Sequence, residues 1–119
     1  MKTHYYNSTK LRNNQDQFVY VSISLGYYPS KYYNVDFIIK DLAPDSSFRY
    51  EKDLSVYKVK YFEKLNNLGL EYVKSILESC EVDGKEVILL CHEKDEYKCH
   101  RSMFAEWWNI RTGEIIEEL

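Results

Sequence analysis

The stretch Glu86-Val87-Ile88-Leu89-Leu90-Cys91 decides the fold that the sequence predicts. It is a continuous apolar run after the turn Asp83-Gly84-Lys85, and such runs are typical of parallel strands whose two faces are both covered. Upstream, the alternating residues 18–25 predict a first strand, which turn residues 26–30 end. Downstream, residues 114–118 predict a last, peripheral strand.

Three amphipathic stretches predict helices between and after these strands. Residues 53–68 carry apolar side chains on one helical face, with Asp53 or Ser55 as the cap and Gly69 as the stop. Residues 70–80 and 99–111 repeat the pattern, whereas residues 35–42 fit either a strand or a helical segment. This order predicts an α/β fold, a single three-layer domain with a small, mostly parallel sheet flanked by helices.

Length and composition limit the number of domains and the classes of partner that we expect. The chain has 119 residues and a net charge of −3, which fits one domain and gives no broad attraction to nucleic acid. Residues 1–17 are polar without an apolar period, and we interpret them as a leader that is flexible or pairs at a sheet edge, before a single α/β domain over 18–119. Because no apolar run approaches roughly twenty residues, we expect a cytoplasmic protein without membrane contact.

The cysteines indicate where chemistry would occur. Three cysteines without an export signal predict reduced thiols, and Cys80 lies on the apolar face of a predicted helix. Cys91 ends the predicted buried strand and Cys99 begins the last helix, so both would flank the crevice where open α/β sheets bind ligands. A thiol at a helix N-terminus beside His100 and Arg101 is favoured as a thiolate.

A family resemblance rests on these same residues. The stretches 89–94 (Leu-Leu-Cys-His-Glu-Lys), 99–101 (Cys-His-Arg) and 105–108 (Ala-Glu-Trp-Trp) resemble the signature of domain-of-unknown-function family 488. A weaker similarity extends it over residues 18–119. The resemblance implies a small prokaryotic or phage-borne α/β protein whose candidate site comprises Cys91, Cys99, His100 and Arg101. It implies no reaction.

The first functional hypothesis is a cysteine-dependent enzyme of unknown reaction acting on a small anionic ligand. Cys91 or Cys99 would be the nucleophile, Arg101 an anion clamp, and His100 or Glu93 the proton carrier. The residues expected to contribute to binding are Arg49, Tyr50 and Tyr61.

Four alternatives stay open. Cys91 and Cys99 could form a reversible dithiol if their Cα atoms lie within about 7 Å. No cofactor is required, but the two cysteines with His92 or His100 could hold zinc, although adjacent side chains seldom converge on one ion. A binding module for nucleotide or nucleic-acid phosphate without chemistry is a third, and simple packing, with Arg101 paired to Glu93 or Glu106, is a fourth. An exposed Trp107 or Trp108 would indicate a homodimer.

Overall fold

Five parallel strands and three α-helices form the fold in a computed structural model that describes residues 1–25, 31–94 and 99–119. The strands follow the spatial order β3-β2-β4-β1-β5. Their bounds are β1 Lys2–Tyr5, β2 Phe18–Ser22, β3 Phe37–Ile38, β4 Glu86–Cys91 and β5 Glu117–Glu118, and the helices are α1 Leu54–Leu68, α2 Leu70–Glu78 and α3 His100–Thr112. The predicted α/β domain with a small parallel sheet is therefore confirmed.

Buried side chains divide between the two faces of the sheet. Val87 and Leu89 of β4 belong to the core that the α-helices cover, whereas Ile88 and Leu90 belong to the core of the opposite face. Because parallel crossovers are right-handed, connections that run toward β5 and those that run toward β3 must lie on opposite faces. The α-helices of the described residues all lie in connections that run toward β5, so the other face is covered by loops and the short 3₁₀ helix Thr9–Leu11.

Residues 1–17 differ from the expected flexible or edge-pairing leader. Lys2–Tyr5 form β1, which pairs with β4 on one side and β5 on the other. Thr3 and His4 are buried within it because Glu118 satisfies them: Thr3 Oγ1 donates to Oε1 at 2.7 Å and His4 Nδ1 lies 3.3 Å from Oε2. Polar residues at the buried positions hide the apolar period on which strand prediction depends.

The predicted α-helices are present, with small shifts at their ends. The side chain of Asp53 accepts hydrogen bonds from the backbone N–H groups of Ser55 and Val56 and thereby caps α1. The helix ends at Leu68, and Gly69 follows with φ +88°. Helix α2 ends at Glu78, before the buried Cys80.

Shorter elements account for the other differences. Strand β2 ends at Ser22, the ambiguous residues 35–42 contain β3 and the 3₁₀ helix Lys40–Leu42, and β5 contains only Glu117–Glu118. Trp107 and Trp108 are both buried, so the homodimer hypothesis loses the exposed Trp on which it depended. The predicted turn 26–30 and loop residues 95–98 lie outside the described residues. Among the described residues, no helix is both long and apolar enough to cross a membrane.

Candidate functional site

A cleft of about 570 Å³ lies beyond the carboxyl ends of β2 and β4. In sheets of this type that edge is the usual place for a ligand. Its lining combines the apolar or aromatic residues Leu25, Pro44, Tyr50, Leu54 and Tyr57 with the polar residues Ser24, Arg49, Glu51, His92, Glu93, Cys99 and His100. The cleft thus collects five of the predicted site residues: Arg49, Tyr50, Glu93, Cys99 and His100.

Cys91 and Cys99 meet where the cleft borders the protein interior. Their Sγ atoms are bonded to each other and their Cα atoms lie 7.0 Å apart, which meets the distance required for a reversible pair. Cys91 is fully buried at the end of β4, while Cys99 is 4% exposed and lines the cleft. Cys80 is buried and free, and burial raises the pKa of its thiol. The pairing differs from the reduced thiols that we expected from three cysteines without an export signal, because strand end and helix start bring two of the three sulfurs within bonding distance.

His100 is held in one orientation beside Cys99. Its Nε2 contacts the backbone carbonyl of Ile23, and since a carbonyl only accepts, this nitrogen carries the ring proton. The other nitrogen, Nδ1, lies 3.8 Å from Cys99 Sγ. Burial lowers the pKa of His100 to about 4, and the positive charges of Arg101 and Lys64 act in the same direction. Nδ1 is therefore unprotonated near neutral pH, and it can accept a hydrogen bond from the Cys99 thiol.

Arg101 is fully buried below the cleft, and all five of its N–H donors have acceptors within the chain. Nε and Nη2 donate to the carboxylate of Glu118 at 2.7 and 3.4 Å, and Nη2 also donates to the Lys94 carbonyl at 3.1 Å. Nη1 donates to Cys91 Sγ at 3.3 Å and to the carbonyl of Glu93. These contacts support a positioning role rather than the expected anion clamp, and the carboxylate partner is Glu118 rather than Glu93 or Glu106.

Tyr61 does not share the cleft with Arg49 and Tyr50. It is fully buried, donates its hydroxyl to the Leu42 carbonyl at 2.5 Å, and packs its ring edge-on against His100 at 5.6 Å. The structure therefore supports a packing role, in which Tyr61 forms the wall behind His100. Its position on the inner face of α1, toward the sheet, explains its burial.

A cluster of hydroxyl groups connects β1 and β2 beside the cleft. The Tyr6 hydroxyl contacts the Ser22 hydroxyl and lies 2.6 Å from Ser24 Oγ, and burial raises the pKa of Tyr6. The Tyr6 ring also packs against the ring of His92 at the cleft rim, 4.9 Å between centroids. Sequence analysis missed these residues because Tyr6 lay in the presumed leader.

Glu118 was not among the predicted site residues, although it connects β1 with Arg101 through hydrogen bonds. Burial alone would raise its pKa, but hydrogen bonds from His4, Arg101 and Thr3 and the charge of Arg101 outweigh burial and lower that pKa from 4.5 to about 2. The available signal was a carboxylate in the predicted last strand. Its partner depends on the parallel pairing of β1 with β5, which sequence does not show.

This pKa gives a pH dependence of stability. Because the folded state favours the charged carboxylate, Glu118 stabilises the fold above its unfolded pKa of 4.5, and this contribution is lost as the pH falls to about 2. We expect Glu118→Gln to be less stable than the wild-type chain at pH 7, with the difference shrinking between about pH 4.5 and 2. Urea unfolding of both proteins at a series of pH values from 7 to 2 measures this difference in the free energy of unfolding. A difference that stays constant down to pH 2 would contradict the assignment.

The cysteines and His100 also form a set of metal-binding atoms. Cys91, Cys99 and His100 each offer one ligand atom, and these atoms lie within 4.8 Å of one another. Adjacent side chains seldom converge on one ion, but those of Cys99 and His100 do face the same point. Cys99 is the extended N-cap residue of α3 (φ −118°, ψ 146°) and His100 is the first helical residue, so the chain turns between them and both side chains reach the site.

The fold and site define a small α/β protein with a paired-cysteine cleft at the carboxyl edge of its sheet. The chain belongs to the DUF488 family: the DUF488-N3a family model, described as the active DUF488-N3 subclade, matches residues 5–112. The match includes most of the presumed leader, consistent with its place in the sheet. Searches of curated proteins and of solved structures found no match.

Proposed function

We propose that the protein performs thiol–disulfide chemistry, with Cys91 and Cys99 cycling between a dithiol and a disulfide. The observation that carries this proposal is the bonded sulfur pair where the cleft borders the protein interior, with Cys99 on the cleft side. The substrate class is a thiol or disulfide compound small or extended enough to reach Cys99. Because the cleft is lined by the acidic Glu51 and Glu93 as well as the basic Arg49, it does not select for an anionic substrate by charge.

Cys99 is the attacking thiol in this proposal. In the reduced protein the Cys99 thiol, whose sulfur lies 3.8 Å from His100 Nδ1, passes its proton to that nitrogen as the sulfur attacks one sulfur of the substrate disulfide. The substrate S–S bond breaks, a mixed disulfide forms on Cys99, and the first substrate thiolate leaves and takes up the proton. The carbonyl of Ile23 keeps His100 in the tautomer that this transfer needs.

Cys91 is the resolving thiol. Its sulfur receives a hydrogen bond from Arg101 Nη1, which favours the thiolate when the S–S bond is absent. Cys91 loses its thiol proton to solvent, and its thiolate attacks Cys99 Sγ. The Cys99 bond to the substrate sulfur breaks, the Cys91–Cys99 disulfide closes, and the second substrate thiolate leaves and is protonated by solvent. In total, two electrons pass from the dithiol to the substrate, and the reverse sequence oxidises a substrate dithiol.

Equilibration with glutathione tests the proposal. The chain is incubated anaerobically at a series of reduced-to-oxidised glutathione ratios, quenched with acid and alkylated, and each cysteine is read by peptide mass spectrometry. We expect Cys91 and Cys99 to convert together as one two-electron couple, and Cys80→Ser to give the same curve. The proposal fails if both remain thiols at every ratio, or if each carries glutathione without joining the other.

A further inference from the structure

We propose that the reduced site binds one zinc ion through Cys91 Sγ, Cys99 Sγ and His100 Nδ1, with a fourth coordination position that opens to the cleft. This inference rests on the proposed function, because zinc needs both thiolates and only the reduced pair offers them. Zinc would then regulate the site, since a metal that occupies both sulfurs prevents Cys99 from attacking a disulfide.

The ligand geometry supports zinc. Zn–S bonds of about 2.3 Å and Zn–N bonds of about 2.0–2.1 Å place sulfur and nitrogen about 3.6 Å apart in a tetrahedral site. The distance from Cys99 Sγ to His100 Nδ1 is 3.8 Å. Two coordinated sulfurs would lie about 3.8 Å apart, and a Cα separation of 7.0 Å between Cys91 and Cys99 leaves room for that opening once the S–S bond is reduced.

The surroundings orient these three ligands as metal sites require. His100 donates its other ring N–H to the Ile23 carbonyl, and Arg101 donates to Cys91 Sγ. Contacts of this kind fix the tautomer and direction of metal ligands. Tyr61 packs against the His100 ring from behind and prevents it from turning away.

Charge and ligand type favour the same ion. With both thiols ionised, the guanidinium of Arg101 is shared between the Cys91 thiolate and the Glu118 carboxylate, so a divalent cation balances the added negative charge of the Cys99 thiolate. Two thiolates with an imidazole select zinc over the oxygen-preferring magnesium or calcium. Binding displaces one proton from each thiol, and these two protons go to solvent.

The fourth position follows from the placement of the ligands. Cys99 and His100 line the cleft while Cys91 lies beneath them, so the side of the ion away from Cys91 faces the cleft. Three protein ligands with one open position are the arrangement of zinc sites that bind water or a substrate atom.

Anaerobic zinc competition tests this inference. The full chain is reduced, freed of reductant, and titrated with zinc against a chromogenic chelator. We expect one zinc per chain, and Cys99→Ser to weaken binding by more than about a hundredfold. Cys80→Ser serves as the matched control and should bind as the wild-type chain does. Cobalt in place of zinc should give sulfur-to-metal charge-transfer absorption in the wild-type chain and a weaker band in Cys99→Ser.

Thiol titration of the same reduced samples separates the two proposals. Three free thiols without zinc binding would overturn the zinc site and leave the thiol–disulfide proposal intact. Equal zinc binding by the wild-type chain and Cys99→Ser, with circular dichroism showing both folded, would also overturn it. A Cys91–Cys99 pair that glutathione neither forms nor reduces would instead overturn the proposed function.

Discussion

Replacing Arg101 with Ala is expected to lower the free energy of unfolding by about 2–4 kcal/mol, below the upper end for breaking a fully buried ion pair because its partner Glu118 is partly exposed. Arg101 is fully buried and donates to Glu118, Cys91 and two loop carbonyls. Its loss leaves the Glu118 carboxylate without its guanidinium and leaves those carbonyls without a donor. Urea unfolding monitored by circular dichroism measures the change.

Arg111→Ala is the matched control for this substitution. Arg111 lies on the same helix but is exposed, and its guanidinium donates to Asn66 Oδ1. We expect its loss to change the free energy of unfolding by about 0.5 kcal/mol or less. Similar small effects of Arg101→Ala and Arg111→Ala would contradict the buried-clamp assignment. A double-mutant cycle of Arg101→Ala with Glu118→Gln should show strong coupling, because the two side chains contact each other directly.

His100→Gln is expected to slow the reaction of reduced Cys99 with a disulfide by roughly tenfold at pH 7, less than the usual effect of a general base, because its low pKa makes His100 a weak base. A Gln amide can still donate to the Ile23 carbonyl but is too weak a base to take the thiol proton. Stopped-flow measurement of thiolate release gives the rate.

The reaction of Cys80 in the same sample controls for unfolding. Cys80 is buried, and burial raises its pKa, so it stays slow as long as the variant is folded. If His100→Gln reacts at the wild-type rate while Cys80 remains slow, His100 is not the base.

Sequence predicted those parts of the fold whose signal is local. Residues 86–91 form a continuous apolar run, and the caps at Asp53 and Gly69 are local chemical signals, so β4 and α1 were found at nearly their observed bounds. The meeting of the two cysteines was predicted for a similar reason. A cysteine at the end of a buried strand and another at a helix start identify the carboxyl edge of the sheet, where Cys91 and Cys99 meet.

The parts that sequence did not predict depend on pairings between distant segments. In strand β1, the buried side chains of Thr3 and His4 contact Glu118, which is more than a hundred residues away along the chain. The role of Arg101 differs from the predicted anion clamp for the same reason. Its partner Glu118 lies in β5, and the pairing of β5 with β1 brings the two side chains together. Local sequence patterns do not indicate which distant strands pair.

The most direct test of the central claim, that Cys99 attacks and Cys91 resolves, is trapping of the mixed disulfide with an aromatic disulfide reagent whose released thiolate is coloured. In reduced Cys91→Ser, we expect a stable adduct on Cys99, formed much faster than any adduct on Cys80, whereas the wild-type chain should release a second coloured thiolate as the pair closes. In Cys99→Ser, Cys91 should react no faster than Cys80. A fast Cys91 in Cys99→Ser, or a Cys99 in Cys91→Ser that reacts as slowly as Cys80, would contradict the account.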